Sequence, residues 1–263
     1  MNVSVIIPSI GKRPEYIIEA IESVIAQTVS PAEIIIIMTG ESQHEVNVSS
    51  DFPIVTIRSS QILPVSEARN FGALNSSHDI LAFLDDDDKW DPNYLNKMTQ
   101  TLLIESFDCV LGRVCKETLE GLVPLKLNAT VPSMNELFHY NPGITGSSIL
   151  IKKDVFFKIG GFNTKLTVSQ DKALIIELLK SNISIGWVNE AIVIHRIHHG
   201  ERLTNGFSLI KGLTEFLNFY SNEMTSSQIS WIKRRITSLK YQMEPNFINL
   251  FWRIISIIRS LRH

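Results

Sequence analysis

The chain opens on apolar runs of two different periods. Residues 3–8, VSVIIP, form a continuous β-branched stretch, the pattern of a strand covered on both faces. Pro14 then stands where a helix can begin, and 15–27 (EYIIEAIESVIAQ) places Ile17, Ile21, Val24 and Ile25 on one helical face. EIIIIM (33–38) and FPIVTI (52–57) are two further strands, VSEARNFGALNSS (65–77) a helix, and DILAFL (79–84) a fourth strand. The order β-α-β-β-α-β predicts a layered α/β domain with a mainly parallel sheet.

Beyond residue 90 the pattern is more broken. WDPNYLNKMTQTLL reads as a helix, with Asp91 and Pro92 expected as its N-cap and first residue. DCVLGRV (108–114) is a strand, and 115–145, with Pro124, Pro132 and Pro142, is expected to be irregular. SSILIKKDVFFKIGGFN (147–163) reads as strand, short helix and glycine turn. SQDKALIIELLKS (169–181) is a helix, and GWVNEAIVIHRIHHG (186–200) a strand running into a basic, histidine-rich loop. From about 206 the chain reads as all helical. Residues 1–205 are therefore expected to form one α/β domain and 206–263 a helical extension. In NFINLFWRIISIIRSLRH (246–263), Phe247, Leu250, Phe251, Ile254, Ile257, Ile258 and Leu261 share one face. Lys233, Arg234, Arg235 and Lys240 precede it, and Glu244 is the one acid from 226 onward. A basic amphipathic helix fits a membrane interface, and it also fits a helix docked on the protein's own core.

Composition narrows the class. With 44% hydrophobic and 20% charged residues, the 263-residue chain carries an ordinary globular core. A net charge of −2 predicts no nucleic-acid partner and makes any anion site local. The Cys109–Cys115 spacing fits no zinc pattern, so reduced core cysteines are expected. The N-terminal segment has no basic n-region and its apolar run ends at Pro8, and no stretch reaches the roughly 18–20 apolar residues of a spanning helix. The expected location is cytoplasmic, with peripheral contact to the inner face of the membrane through the C-terminal helix.

The candidate chemistry lies in Asp85, Asp86, Asp87 and Asp88, directly after the fourth strand. Ligands of open α/β sheets gather beyond the carboxyl ends of the strands. Adjacent carboxylates repel, and a hard cation such as Mg²⁺ or Mn²⁺, shared with phosphate oxygens, relieves that repulsion. A solvated acidic turn is the plain alternative. An EF-hand is excluded, because counting from Asp85 puts Lys89 at position 5 and Trp90 where Gly is needed. Neither a P-loop nor a G-x-G-x-x-G element occurs. Asp171 opens a helix, where a carboxylate serves either as a partner of the helix dipole or as a general base.

VSVIIPS, EARNFGAL (67–74), ILAFLDDDDKWDPNYL (80–95), IGGFN (159–163), QDKALIIELL (170–179) and HRIHH (195–199) stand in the order and spacing found in family 2 glycosyltransferases. The chain resembles that family over roughly residues 1–200. The resemblance implies a GT-A fold, Rossmann-like with a mainly parallel central sheet, followed here by a helical C-terminal tail. It implies inverting transfer from a nucleoside diphosphate sugar with Mn²⁺ or Mg²⁺. The D-x-D element matches Asp85 to Asp87, with Asp87 as metal ligand and Asp85 or Asp86 reaching the ribose or the metal. Pro8 and Ser9 line the base, and Arg69 matches an arginine near base and ribose. Asp171 matches the catalytic carboxylate. Arg196, His198 and His199 belong to a loop over the diphosphate, with His198 on the metal or a phosphate. In the family the second strand usually ends in an acidic turn that binds the base. Here it reads IIIIMTGES, so Thr39 or Glu41 takes that place, with a uridine nucleotide as the default. Asp171 and the metal are expected to flank the sugar from opposite sides. The expected acceptor is a saccharide hydroxyl, lipid-diphosphate-linked, in the synthesis of surface polysaccharide such as O-antigen. A nucleotidyl or phosphoryl transferase and a non-catalytic nucleotide-sugar binding module are the alternatives.

Overall fold

The computed structural model of the chain describes residues 2–41, 46, 48–119, 121–125, 130–196 and 206–243. Its contacts divide it into two units, one built from 1–132, 142–163 and 171–198 and the other from 133–141, 164–170 and 199–263.

The first unit carries the sheet. Its strands are β1 (Val3–Ser9), β2 (Glu33–Thr39), β3 (Ile54–Ser59), β4 (Ile80–Phe83), β5 (Asp88–Trp90), β6 (Cys109–Thr118), β7 (Gly121–Pro124), β8 (Ile149–Lys152) and β9 (Ile185–His195). They run in the order β3-β2-β1-β4-β8-β6-β9-β5, with β7 hairpinned onto β6. The β1–β2, β2–β3, β1–β4 and β6–β9 pairs are parallel, while β8 lies antiparallel to β4 and β6. β1, β2 and β4 are buried along their whole length, as their unbroken apolar runs require, and edge strand β3 has only half-buried and exposed positions.

Helix α1 (Pro14–Ile25) begins at the expected proline and buries Ile17, Ala20, Ile21 and Val24. Helix α2 is Val65–Leu74, α3 Tyr94–Ile104, α5 Lys153–Lys158 and α6 Gln170–Lys180. The start of α3 differs from expectation. Asn93 is its N-cap, while the Asp91 carboxylate accepts from the Asn93 N–H (3.0 Å) and the Asp91 carbonyl from the Tyr94 N–H (2.9 Å). A side chain that closes a turn on its own backbone two residues on delays the helix. The stretch 115–145 is less irregular than expected, since it contains β7 and α4 (Met134–His139).

The second unit consists of α4, residues 164–170, α7 (Gly206–Tyr220) and α8 (Ser226–Met243). Ser133 and Glu136 form a capping box that starts α4. Buried Tyr220 packs against Phe216 (4.8 Å) and Phe138 (5.9 Å between centroids). Thr167 donates to Glu215 from both its N–H and its hydroxyl, at 2.8 Å each. α7 approaches this segment so closely that a Cβ on Gly212 would lie 1.9 Å from Val168, so only glycine fits. Residues 246–263, the amphipathic stretch, lie outside the described residues. No helix among the described residues is long and apolar enough to cross a membrane.

Candidate active site

The carboxyl ends of β1, β2 and β4 bring Ser9, Thr39 and the acidic turn to one edge of the sheet. β4 pairs with β1 only as far as Ile6, where the Leu84 N–H donates to the Ile6 carbonyl (3.0 Å). Pro8, which has no N–H to offer a neighbour, lies beyond that point, and the chain leaves β4 there. A backbone bond from Asp88 N–H to the Asp85 carbonyl (3.1 Å) closes the turn.

The four carboxylates have four different settings. Asp85 is ion-paired with Arg69. Asp86 accepts from the Ser9 hydroxyl (2.5 Å), and that hydroxyl accepts from the Gly11 N–H (3.0 Å). Asp87 faces Arg13 at 3.1 Å, and the same guanidinium lies 3.8 Å from Asp86. Asp88 is fully buried, where it accepts from Ser147 (2.6 Å) and pairs with His195 Nδ1 (2.8 Å). Ser147 ties the turn together. Its hydroxyl also accepts from the Asp85 N–H (3.0 Å), and its carbonyl accepts from the Trp90 indole (2.9 Å) and the Tyr94 hydroxyl (3.1 Å). Nothing in a short GSS tripeptide signals that role, which depends on the fold bringing the segment before β8 against a turn far from it in sequence.

Burial pushes the Asp88 carboxyl up, against the pull of His195. Burial also raises Asp86 to about 6, with Asp87 and Asp85 adding repulsion and Ser9 and Arg13 opposing. Folding therefore favours protonated Asp86. Its contribution to stability is present below about pH 4, the ordinary carboxylate value, and is lost as the pH rises through about 6. We expect Asp86→Asn to stabilise the metal-free protein by about 1–3 kcal/mol near neutral pH, and the gain to vanish near pH 4. Denaturant melts in chelator at the two pH values check this, and equal stability at neutral pH would refute it.

Arg69 sits at the centre, 4% exposed, with its guanidinium 5.1 Å from the Phe162 ring centre and flat against Gly146, where a Cβ would lie 2.3 Å from a guanidinium nitrogen. The Asn70 amide holds both the N–H and the carbonyl of Phe162, at 2.9 and 2.8 Å, which fixes the IGGFN turn beneath it. Asp171, in the first turn of α6, accepts from the Lys172 N–H (2.7 Å). Burial raises its carboxyl, the Lys172 N–H and Arg69 lower it, and Asp85 raises it further.

The remaining candidates are more dispersed. Pro8, Ser9 and Thr39 are buried at strand ends, and Glu41 is exposed beyond Gly40. Arg196 forks onto Glu19 of α1 and lies 4.3 Å from the Tyr16 ring centre. His198 and His199 lie outside the described residues. Cys109 and Cys115 are free and buried, and burial raises both thiols. Among the described residues no three His, Cys, Asp or Glu side chains converge as a metal cage. The turn nevertheless suits a hard cation held jointly with phosphate oxygens, because one cationic group, Arg13, already lies beside both Asp86 and Asp87.

The sequence profile described as "Glycosyl transferase family 2" matches residues 4–160. The chain belongs to glycosyltransferase family 2. This family consists in general of inverting hexosyltransferases that use a divalent metal. An uncharacterized glycosyltransferase of Haemophilus influenzae is 31% identical over 67% of this chain and 62% of its own length, so the chain spans less than two thirds of that relative. The O-antigen biosynthesis glycosyltransferase WbnJ of Escherichia coli is 27% identical over 74% of this chain and 79% of its own. The fold of this family 2 chain matches that of Staphylococcus aureus TarS 1–349, solved in complex with UDP-GlcNAc. The TM-score is 0.62 at 13% identity, over 97% of this chain and 79% of that one.

Proposed function

We propose that this chain is an inverting, metal-dependent glycosyltransferase that moves a hexose from a UDP-sugar to a hydroxyl of a lipid-diphosphate-linked saccharide in surface polysaccharide synthesis. The observation that carries this reading is the acidic turn at the carboxyl edge of the sheet, where buried Arg69 pairs with Asp85 and Arg13 lies beside Asp86 and Asp87. The O-antigen role in the name of the Escherichia coli relative and the UDP-GlcNAc bound by the TarS structure support it. The basic residues of α8 and the amphipathic stretch after it support peripheral membrane contact.

Asp171 accepts the proton of the acceptor hydroxyl as that oxygen attacks the anomeric carbon, and the bond from that carbon to the diphosphate oxygen breaks on the opposite face. An acceptor hydroxyl titrates far above neutrality, so without a base the nucleophile stays protonated. A carboxylate raised by burial is a stronger base than an ordinary aspartate. Asp87, with Asp85 or Asp86, would hold a divalent cation, which would supply counter-charge to the leaving nucleoside diphosphate. Arg69 holds Asp85 in place, and Ser9 and Ser147 hold the rest of the turn.

The test is nucleotide release by the purified chain with UDP-, GDP- and dTDP-sugars, Mn²⁺ or Mg²⁺, and lipid-diphosphate saccharide acceptors. Metal-dependent UDP release is expected from one donor, and Asp87→Ala is expected to reduce it by at least about 100-fold. Transfer of a phosphate-bearing group without release of nucleoside diphosphate would overturn the reading.

A further inference from the structure

The two arginines of the acidic turn are held in opposite ways. Arg69 is wedged between Gly146 and Phe162, with a side chain 5% exposed, and has no space to leave Asp85. Arg13 has a side chain 27% exposed and lies in the loop between β1 and α1, just after Gly11 at φ +65°. Its guanidinium faces carboxylate oxygens of Asp87 and Asp86. It also lies 5.6 Å from the centre of the Tyr16 ring, which carries the Arg196 guanidinium as well.

We infer that Arg13 is a built-in counter-cation, holding in the donor-free protein the carboxylate oxygens of Asp86 and Asp87 that a divalent cation needs. This rests on reading the turn as the donor's metal–diphosphate site. Two cationic groups cannot share the same oxygens without strong repulsion, so a metal ion arriving alone has to displace Arg13. A nucleoside diphosphate changes the balance, because its negative charge compensates Arg13 once the carboxylates are given up. Arg13 thereby couples the two ligands: each binds better in the presence of the other, by the same factor. It is a positioning residue, and its role is to keep the turn closed to metal until donor arrives. The sequence KRP shows only two basic residues in a turn. The relation of Arg13 to the aspartates of the turn comes from the parallel pairing of β1 with β4.

The test measures Mn²⁺ affinity of the full chain by electron paramagnetic resonance, with and without saturating UDP, for the wild type, Arg13→Ala and Arg13→Gln. The glutamine variant keeps much of the side-chain length, and thermal unfolding checks that both variants fold. Both are expected to bind Mn²⁺ alone about tenfold more tightly than the wild type, with a smaller enhancement by UDP. If the wild type shows UDP-enhanced Mn²⁺ binding and neither variant binds Mn²⁺ alone more tightly, Arg13 does not guard the site and the donor reading stands. If UDP leaves wild-type Mn²⁺ binding unchanged, both the donor reading and this inference fall.

Discussion

Asp171→Asn is expected to lower kcat by about 10²–10⁴-fold while leaving donor affinity within a few-fold of the wild type. The substitution keeps the shape and the oxygen that accepts from the Lys172 N–H, and removes only the capacity to take a proton. A purely structural carboxylate in the first turn of α6 would behave differently, since losing its charge there costs only about 0.3–1 kcal/mol of helix stability and turnover would survive. The wild type adds a second readout. The base must be ionised to work, and burial raises its pKa, so the acid limb of kcat/KM should lie above the ordinary aspartate range. Single-turnover kinetics and UDP binding by calorimetry separate the two effects. Turnover near that of the wild type in the Asp171→Asn variant would remove Asp171 from the chemistry.

Arg69→Ala is expected to destabilise the first unit by about 3 kcal/mol and to abolish activity. Two losses combine. Removing the buried guanidinium leaves a void between Gly146 and Phe162, and Asp85 loses its ion-pair partner in the acidic turn. Arg69→Met separates them by restoring much of the volume without the charge. It should recover part of the stability and none of the turnover, because the methionine leaves Asp85 without the guanidinium that holds it in the acidic turn. Urea unfolding of both variants measures this, and wild-type stability in Arg69→Ala would show that the pair contributes nothing.

Much of the fold was legible because burial on both faces leaves a strong local mark. β1 and β2 were plain as continuous isoleucine and valine runs, and α1 was plain from its apolar period and Pro14. Where local side-chain bonding competes with the helix, as at Asp91, the boundary shifted. β7 and α4 escaped notice because a four-residue hairpin strand and a six-residue helix carry too few positions to show a period.

The candidate site divides along the same line. The sequence by itself determined the location of the acidic turn, the helix that Asp171 opens and the family, because each depends on neighbours a few residues away. It left the four aspartates interchangeable. Tertiary structure alone distinguished them, giving Asp85 to Arg69, Asp86 to Ser9, Asp87 to Arg13 and Asp88 to Ser147 and His195. Those partners arrive on β1, the loop after it, α2, the segment before β8 and the end of β9. The energy of a charge is set by its distance to other charges and to water, and both are properties of the folded chain.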